Sequence, residues 1–313
     1  MTRAGLFLPW ALAVFAGLGG TGAASEGQRR ERPWSGLLPV ARRSSTPTVA
    51  QREDSHAPLP STAIFRYNTA SASTSRERET VKIEKIIDWL DATLDVAAFD
   101  DVSNNGVQIA RTAASAREAE IRRVAFAVDA SARAVRAAAD AGAQLLVVHH
   151  GISWGGGVKR LTGGVYTVVK AALDANLAVY ACHLPLDAHP TLGNSAQLAK
   201  RLGLKKARPA FSYHGHLIGL VGEAKGRTVG VCSGGAGAFA EEAKRLGCDR
   251  FVTGEADWGE VIAAENCGVK MDCLGHYETE VGGVRAVAAA MEKALKVRTV
   301  DLTGMLAPSE PRH

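Results

Sequence analysis

Residues 144–151 read Q-L-L-V-V-H-H-G. Four successive apolar residues, two of them β-branched, suit a strand covered on both faces, as in a parallel sheet with helices on either side. The run ends abruptly in His149, His150 and Gly151. That ending places two imidazoles at the carboxyl edge of a sheet, where open α/β folds bind their ligands. Neighbouring strand residues point opposite ways, so both rings serve one place only if the chain turns there, and Gly151 permits the turn. Alone, such a run is also a polar strand exit with no chemistry.

The surrounding chain repeats the grammar. Helical spacing of Ile83, Ile86, Ile87, Leu90 and Leu94 predicts a helix, with Thr80 as its N-cap. Asn105-Gly106 marks a tight turn. Residues 124–128 read as a strand ending at Asp129, followed by a helix with Ser131 as N-cap and Gly142 as its stop. Residues 165–175 and 194–202 read as helices and 177–182 as a strand. Further on, 216–221, 228–232, 251–252, 271–274 and 297–302 read as strands, with helices up to Leu246, over 261–266 and over 284–295. Strands and helices alternating in this way imply an α/β fold of two lobes with mostly parallel sheets.

The net charge of +5 does not describe this folded part. Residues 1–79 hold ten Arg, no Lys and six acids, which leaves about +1 for the remainder. No basic surface for nucleic acid is expected. Residues 1–24 have the layout of a secretory or targeting signal, too short for a membrane span. Residues 25–79 form an Arg/Ser-rich leader without hydrophobic periodicity. The expected destination is an organelle (plastid or mitochondrion) or export, with no stable membrane span in the mature protein. The five cysteines, Cys182, Cys232, Cys248, Cys267 and Cys273, contain no C-x-x-C pair and read as reduced core residues.

Seven of the nine histidines fall between residues 149 and 276. The strand at 177–182 runs into His183-Leu184-Pro185-Leu186-Asp187, and the strand at 271–274 into Gly275-His276-Tyr277-Glu278-Thr279-Glu280. Each offers an imidazole and a carboxylate four residues apart, on one face if the segment is a helical turn. Three strand ends of this kind on one sheet edge make a mixed N/O set able to hold one or two divalent ions such as zinc, manganese, iron or nickel. Other features are less specific. Ser233-Gly234-Gly235-Ala236-Gly237 either cradles an anion or makes a tight turn for packing. Glu255 is a general-base candidate or an ordinary turn acid. His214 and His216 read as surface or substrate-pocket residues. Trp154 and Trp258 either line the site or, by default for Trp, pack in the interior.

Residues 147–151 (V-V-H-H-G), 183–187 (H-L-P-L-D), Thr253-Gly254-Glu255 and 275–280 (G-H-Y-E-T-E) together resemble the Nif-three-like dinuclear metal-centre family, whose members are often labelled GTP cyclohydrolase I type 2 homologues. The likeness covers residues 80 to about 303. It implies a two-lobed α/β domain over 80–313, a dinuclear metal centre in the cleft between lobes, and a homo-hexameric ring. The ligands it implies are His149, His150, Asp187, His276 and Glu280, with His183 as a ligand or supporting group. Family members are otherwise mostly cytoplasmic. The chain departs from the family at Ala256-Asp257-Trp258, where members often carry His, which leaves that loop's role open. Two ions about 3.5–4 Å apart share a water, lower its pKa and clamp a phosphoryl or carbonyl oxygen. The activity implied is metal-dependent hydrolysis of a nucleotide-like or phosphorylated small molecule. The other reading is a non-catalytic metal-binding scaffold, metal chaperone or regulatory partner protein. Imidazoles bind metal only when neutral, so metal loss is expected below a pH of about 6.

Overall fold

The computed structural model describes residues 80–111 and 119–307; the leader assigned to residues 1–79 lies outside them. In chain order the elements are β1 (Val81–Lys82), α1 (Ile83–Leu94), β2 (Gly106–Ile109), β3 (Glu120–Ile121), β4 (Arg123–Asp129), α2 (Ala132–Asp140), β5 (Leu145–His150), α3 (Gly163–Asp174), β6 (Ala178–Ala181), α4 (Leu184–Ala188), α5 (Asn194–Leu202), β7 (Lys205–Tyr213), β8 (His216–Ala224), β9 (Arg227–Val231), α6 (Ala240–Arg245), β10 (Arg250–Thr253), α7 (Trp258–Cys267), β11 (Lys270–Cys273), α8 (His276–Leu295), β12 (Arg298–Asp301) and α9 (Thr303–Leu306).

Two five-stranded sheets organise the described residues, in the orders β12-β4-β5-β6-β2 and β11-β10-β9-β8-β7. In the first, β12, β4, β5 and β6 are parallel and only β2 runs against them. The second is evenly divided: β11, β10 and β9 are parallel, whereas β8 and β7 are antiparallel additions. Five of the eight pairings in the two sheets are parallel, as expected of a mostly parallel α/β fold, and the antiparallel ones gather mainly in the second.

The first sheet shows why residues 145–148 are all apolar. Val124, Phe126, Leu145, Val147, Ala178 and Tyr180 face one core, with Val284, Val287 and Met291 of α8 and Ile86 and Leu90 of α1. Ala125, Ala127, Leu146, Val148, Val179 and Ala181 face the other, with Ala134 and Val135 of α2 and Val168 of α3. The alternation has period two, but both faces are covered, so no polar position remains until the strand ends. In the second sheet, Phe251, Val269 and Ala243 share a core on one face, and Val229, Val231 and Val252 pack with Leu198 of α5 on the other.

Ser131 caps α2, its side chain accepting from the Ala134 N–H at 3.0 Å, and Gly203 closes α5 with φ of 70°, as expected from the sequence. Thr80 caps nothing. Val81–Lys82 pairs with Glu120–Ile121 instead, and α1 starts after Lys82 without a side-chain cap. Cys182, Cys232 and Cys248 are buried, but Cys273 is exposed, because it ends an edge strand. Among the described residues, no helix is long and apolar enough to cross a membrane.

Candidate metal centre

The carboxyl ends of both parallel strand sets converge on one cluster of side chains. β5 ends in His149 and His150, β6 leads through Cys182 to His183, and α4 carries Asp187. From the second sheet, α8 begins at His276 just after β11 and brings Glu280 one turn further on. Two loops, over 233–236 and 253–257, border the cluster, Gly234 lying against Glu280 and Glu255 against His276.

Glu280 is the centre of the cluster. It is 3 % exposed, with its Oε1 3.0 Å from His276 Nε2 and 3.5 Å from His149 Nε2, and its Oε2 3.4 Å from His150 Nε2. Asp187 Oδ1 lies 3.5 Å from the same His149 Nε2. His183 joins through its neighbours, its ring centroid 5.2 Å from that of His149 and 5.8 Å from that of His150. Ligand-type atoms of three overlapping triads fall within 4.8 Å of one another: His149, His150 and His183; His150, His276 and Glu280; His149, Asp187 and Glu280. The five residues expected as ligands, and His183 beside them, are thus brought together.

Each imidazole is held by its Nδ1. His149 Nδ1 is 2.9 Å from the Cys182 carbonyl oxygen, His150 Nδ1 2.9 Å from Asp129 Oδ1, His183 Nδ1 2.9 Å from Asp101 Oδ1, and His276 Nδ1 2.9 Å from Glu255 Oε1. Carbonyl and carboxylate oxygens only accept, so each Nδ1 carries the hydrogen. The Nε2 atoms are left to face the cluster, with ring orientation and tautomer fixed by the groups behind them. Three supporting residues, Asp129, Asp101 and Asn194, carry no metal-ligand spacing in the sequence. Asp129 is visible there as an acid ending the strand beside His150. Asp101 is visible as an acid of the turn-rich stretch before Asn105-Gly106, but nothing local ties it to His183, 82 residues away, or Asn194 to His149, 45 residues away. Asn194 is fully buried. It donates from Nδ2 to Asp187 Oδ1 at 2.8 Å and accepts from the Gly283 N–H at 3.1 Å, tying α5 to α8 behind the cluster.

The electrostatics follow from this crowding. Burial alone would lower the His149 imidazolium pKa, but the Asp187 and Glu280 carboxylates overcome it and lift the value to about 10. His276 is likewise opposed by burial and raised to about 9 by Glu280 and Glu255. Burial would raise the Glu280 carboxyl; His149, His276 and His150 reverse that and hold it far below the usual carboxylate range. Asp101 is opposed by burial and pulled down to about 2 by His183 and by the N–H groups of Ser103 and Asn105.

Two glycines make the close approach feasible. Gly234 has φ of +67°, and a Cβ there would lie 2.6 Å from Glu280 Oε1. Gly151 has an ordinary φ; it is required for space, because the Gln108 side chain fills the position a Cβ would take. Gln108 Oε1 accepts from the Ile152 N–H at 2.6 Å and the Ser153 N–H at 3.1 Å, fixing the turn after the double His. The 233–237 segment is a packing turn: the Ser233, Gly234 and Ala236 N–H groups donate to Ser195, Thr279 and Thr253 hydroxyls. Glu255 is engaged with His276. Trp154 packs edge-on against His183 with centroids 5.0 Å apart, whereas Trp258 is 76 % exposed, against the default of buried packing.

One buried atom tests whether this set fits a cation. Glu280 Oε2 is buried with no hydrogen-bond partner. An ionised oxygen left so among imidazole nitrogens is a high-cost arrangement that a positive ion relieves. The donor set, imidazole nitrogen with carboxylate oxygen, suits the divalent metals named above.

The chain is 38 % identical over 254 residues to a GTP cyclohydrolase 1 type 2 homologue of Deinococcus radiodurans, covering 72 % of this chain and 94 % of that one. A protein of the same name from Pyrococcus horikoshii is 35 % identical over 247 residues, covering 69 % and 96 %. Among solved structures, the ybgI protein of unknown function superposes with a TM-score of 0.66 at 27 % identity, covering 73 % of this chain and 99 % of that one. A profile of the Duf34/NIF3 (NGG1p interacting factor 3) family matches residues 81–227 and 210–308, nearly all of the described fold; the chain belongs to this family.

Proposed function

We propose that the chain is a metal-dependent hydrolase of the kind its relatives' name describes, acting on a nucleotide-like or phosphorylated small molecule. The observation that carries this reading is the buried Glu280 Oε2, which makes no hydrogen bond, within a ring of imidazoles whose Nδ1 atoms are all held from behind. His149, Asp187 and Glu280 would hold one ion and His150, His276 and Glu280 the other, with Glu280 shared and His183 beside the first. Two divalent ions there would supply a water acidic enough to act near neutral pH and a clamp for a phosphoryl or carbonyl oxygen.

The protein's own residues supply position and access. Asp129, Asp101, Glu255 and the Cys182 carbonyl fix the four rings. Asn194 and the Ser233 hydroxyl, 2.8 and 3.2 Å from Asp187 Oδ1, fix the second carboxylate. The cluster is closed on the His149 side and open on the other, where the His150 and His276 side chains are 21 % and 37 % exposed. A face open to solvent favours catalysis over storage by a scaffold or chaperone, since a substrate needs an approach. We also propose a ring of six copies and an organellar or export address carried by residues 1–79.

Metal content of the full chain, by elemental analysis, tests the reading. Two ions per chain in the parent and at most one in the His149→Ala, Glu280→Ala double variant support it, and a screen of nucleotide hydrolysis follows. A parent that holds no metal after refilling with zinc or manganese sinks it.

A further inference from the structure

We propose that the tip of the β7–β8 hairpin is the substrate-binding edge of this centre, with His216 and Tyr213 donating hydrogen bonds to a phosphate group. The inference rests on the hydrolase reading and narrows it to phosphorylated substrates.

The hairpin turns over two residues, His214 and Gly215, both with positive φ (48° and 82°). Two-residue turns of this sort match the twist of their strands and fix the pair on either side. That pair is Tyr213 and His216, directly opposite in register. Paired residues on an antiparallel ladder project from the same face. The His216 ring stacks on Phe99, with centroids 4.0 Å apart and planes inclined by 25°. Tyr213 therefore shares the face that meets the segment from Phe99 to Asp101. Asp101 in turn holds His183 at 2.9 Å. Phe99 and Asp101 are two residues apart, at most about 7 Å of chain, so the tip lies alongside the His183 flank of the cluster. The Asp101 charge reaches the Tyr213 hydroxyl, adding to burial in raising its pKa.

Among the described residues, no hydrogen bond engages the His214 or His216 rings or the Tyr213 hydroxyl. These are free donors beside a candidate metal centre. The tip itself is uncharged: residues 209–221 hold no Lys, Arg, Asp or Glu. The opposite, His276 flank carries Glu255, Asp257 and Glu260, which would repel an anion. A phosphate approaching the open face thus meets less repulsion on the hairpin side, where His216 is oriented by its stacking on Phe99. His214, with its non-glycine positive φ, serves the turn and not the ligand.

The test uses the full-length, metal-loaded protein with inorganic phosphate as the probe, its affinity measured by calorimetry alongside metal content and thermal melting. We expect the parent to bind phosphate, and the His216→Ala, Tyr213→Phe double variant to lose roughly tenfold or more in affinity with metal content and melting unchanged. His214→Gly should keep both affinity and metal. Equal phosphate affinity in the parent and a well-folded double variant overturns the hairpin's role while leaving the hydrolase reading intact. A parent that holds two metals yet binds no phosphate overturns the inference alone, and one that holds no metal overturns both.

Discussion

The two sheets contribute to the centre in different ways. The first presents its ligands at the ends of two adjacent parallel strands, β5 and β6, whose faces are both covered by helices, and on the short α4 that follows; the deepest of them are closed off from water, His149 fully buried and the Asp187 side chain 10 % exposed. The second presents its groups on loops and on the first turns of α8, and they stay wet: the His276 and Glu255 side chains are 37 % and 63 % exposed. Parallel strands are positioned by two cores at once, so their ends are rigid. A helix start and two glycine turns are positioned by fewer contacts and leave a face open. One side of the site is therefore anchorage and the other is access, and Glu280 is the residue where they meet.

Removing that junction should have the largest effect. Glu280→Gln preserves shape but deletes the charge that balances His149, His150 and His276. Metal content is expected to fall to one ion or none. The metal-free variant should lose about 3–5 kcal/mol in urea unfolding near pH 7, the usual penalty for breaking a buried charge pair. Retention of two ions would remove Glu280 from the centre of the comparison.

The next effect is on pH. His149 and His276, one from each side, are raised from 6.5 to about 10 and about 9. A group with a raised folded-state pKa contributes stability that is complete below its unfolded value and lost as pH rises through the folded one. Metal-free protein should thus become less stable between pH 6.5 and about 10. Metal must displace these protons, so its apparent affinity should climb over the same range, roughly tenfold per pH unit for each proton released. This moves the window for metal loss well above the pH of about 6 expected for ordinary imidazoles. Calorimetry of zinc binding in buffers of different ionisation enthalpy counts the protons. His276→Ala should remove one and leave the His149 contribution; a proton count unchanged by that variant would contradict the assignment.

The carboxylates behind the rings separate the two sides more finely. Asp101 accepts from His183, from the Ser103 and Leu184 N–H groups at 3.0 and 2.8 Å, and from Asn105 at 2.9 Å. Asp101→Ala strands all of these donors and should cost on the order of 3 kcal/mol. Glu255→Ala strands only a half-open imidazole and should leave unfolding within about 0.5 kcal/mol of the parent. Both should weaken metal binding about tenfold or more. Equal losses of stability would erase the distinction between anchorage and access.

The same distinction explains what the sequence discloses. β4, β5 and β6 are legible because burial on both faces leaves only apolar residues, and the strand ends stand out as the first polar positions after them. The i, i+4 pairing of His276 and Glu280 is legible because α8 begins at His276. β7 is not: Lys205, Lys206, Arg208 and Pro209 are exposed, and the strand exists only because β8 pairs with it. α4 is five residues with a proline near its start, too short to leave a periodic trace. Asp101 and Asp129 could be seen only as turn and strand-end acids, since the ring each one holds is set beside it by the sheet and not by local spacing.

The smallest effect expected belongs to one of two tryptophans that stand on opposite flanks. Trp154 donates from Nε1 to the Gly151 carbonyl at 2.9 Å and lies against His150 and His183. It braces the turn after the double His, and Trp154→Ala should cost about 2 kcal/mol. Trp258 stands at the start of α7, held there by the reciprocal capping of Asp257 and Glu260, each 2.8 Å from the other's backbone N–H. The cap fixes the helix without using the indole, so Trp258→Ala should change unfolding by no more than about 0.5 kcal/mol. A large aromatic ring left in water has no packing reason to be there. If the variant loses stability in a concentration-dependent way, the indole is covered by another copy of the chain. If it changes only the affinity for a substrate, the open flank has a binding wall opposite the hairpin.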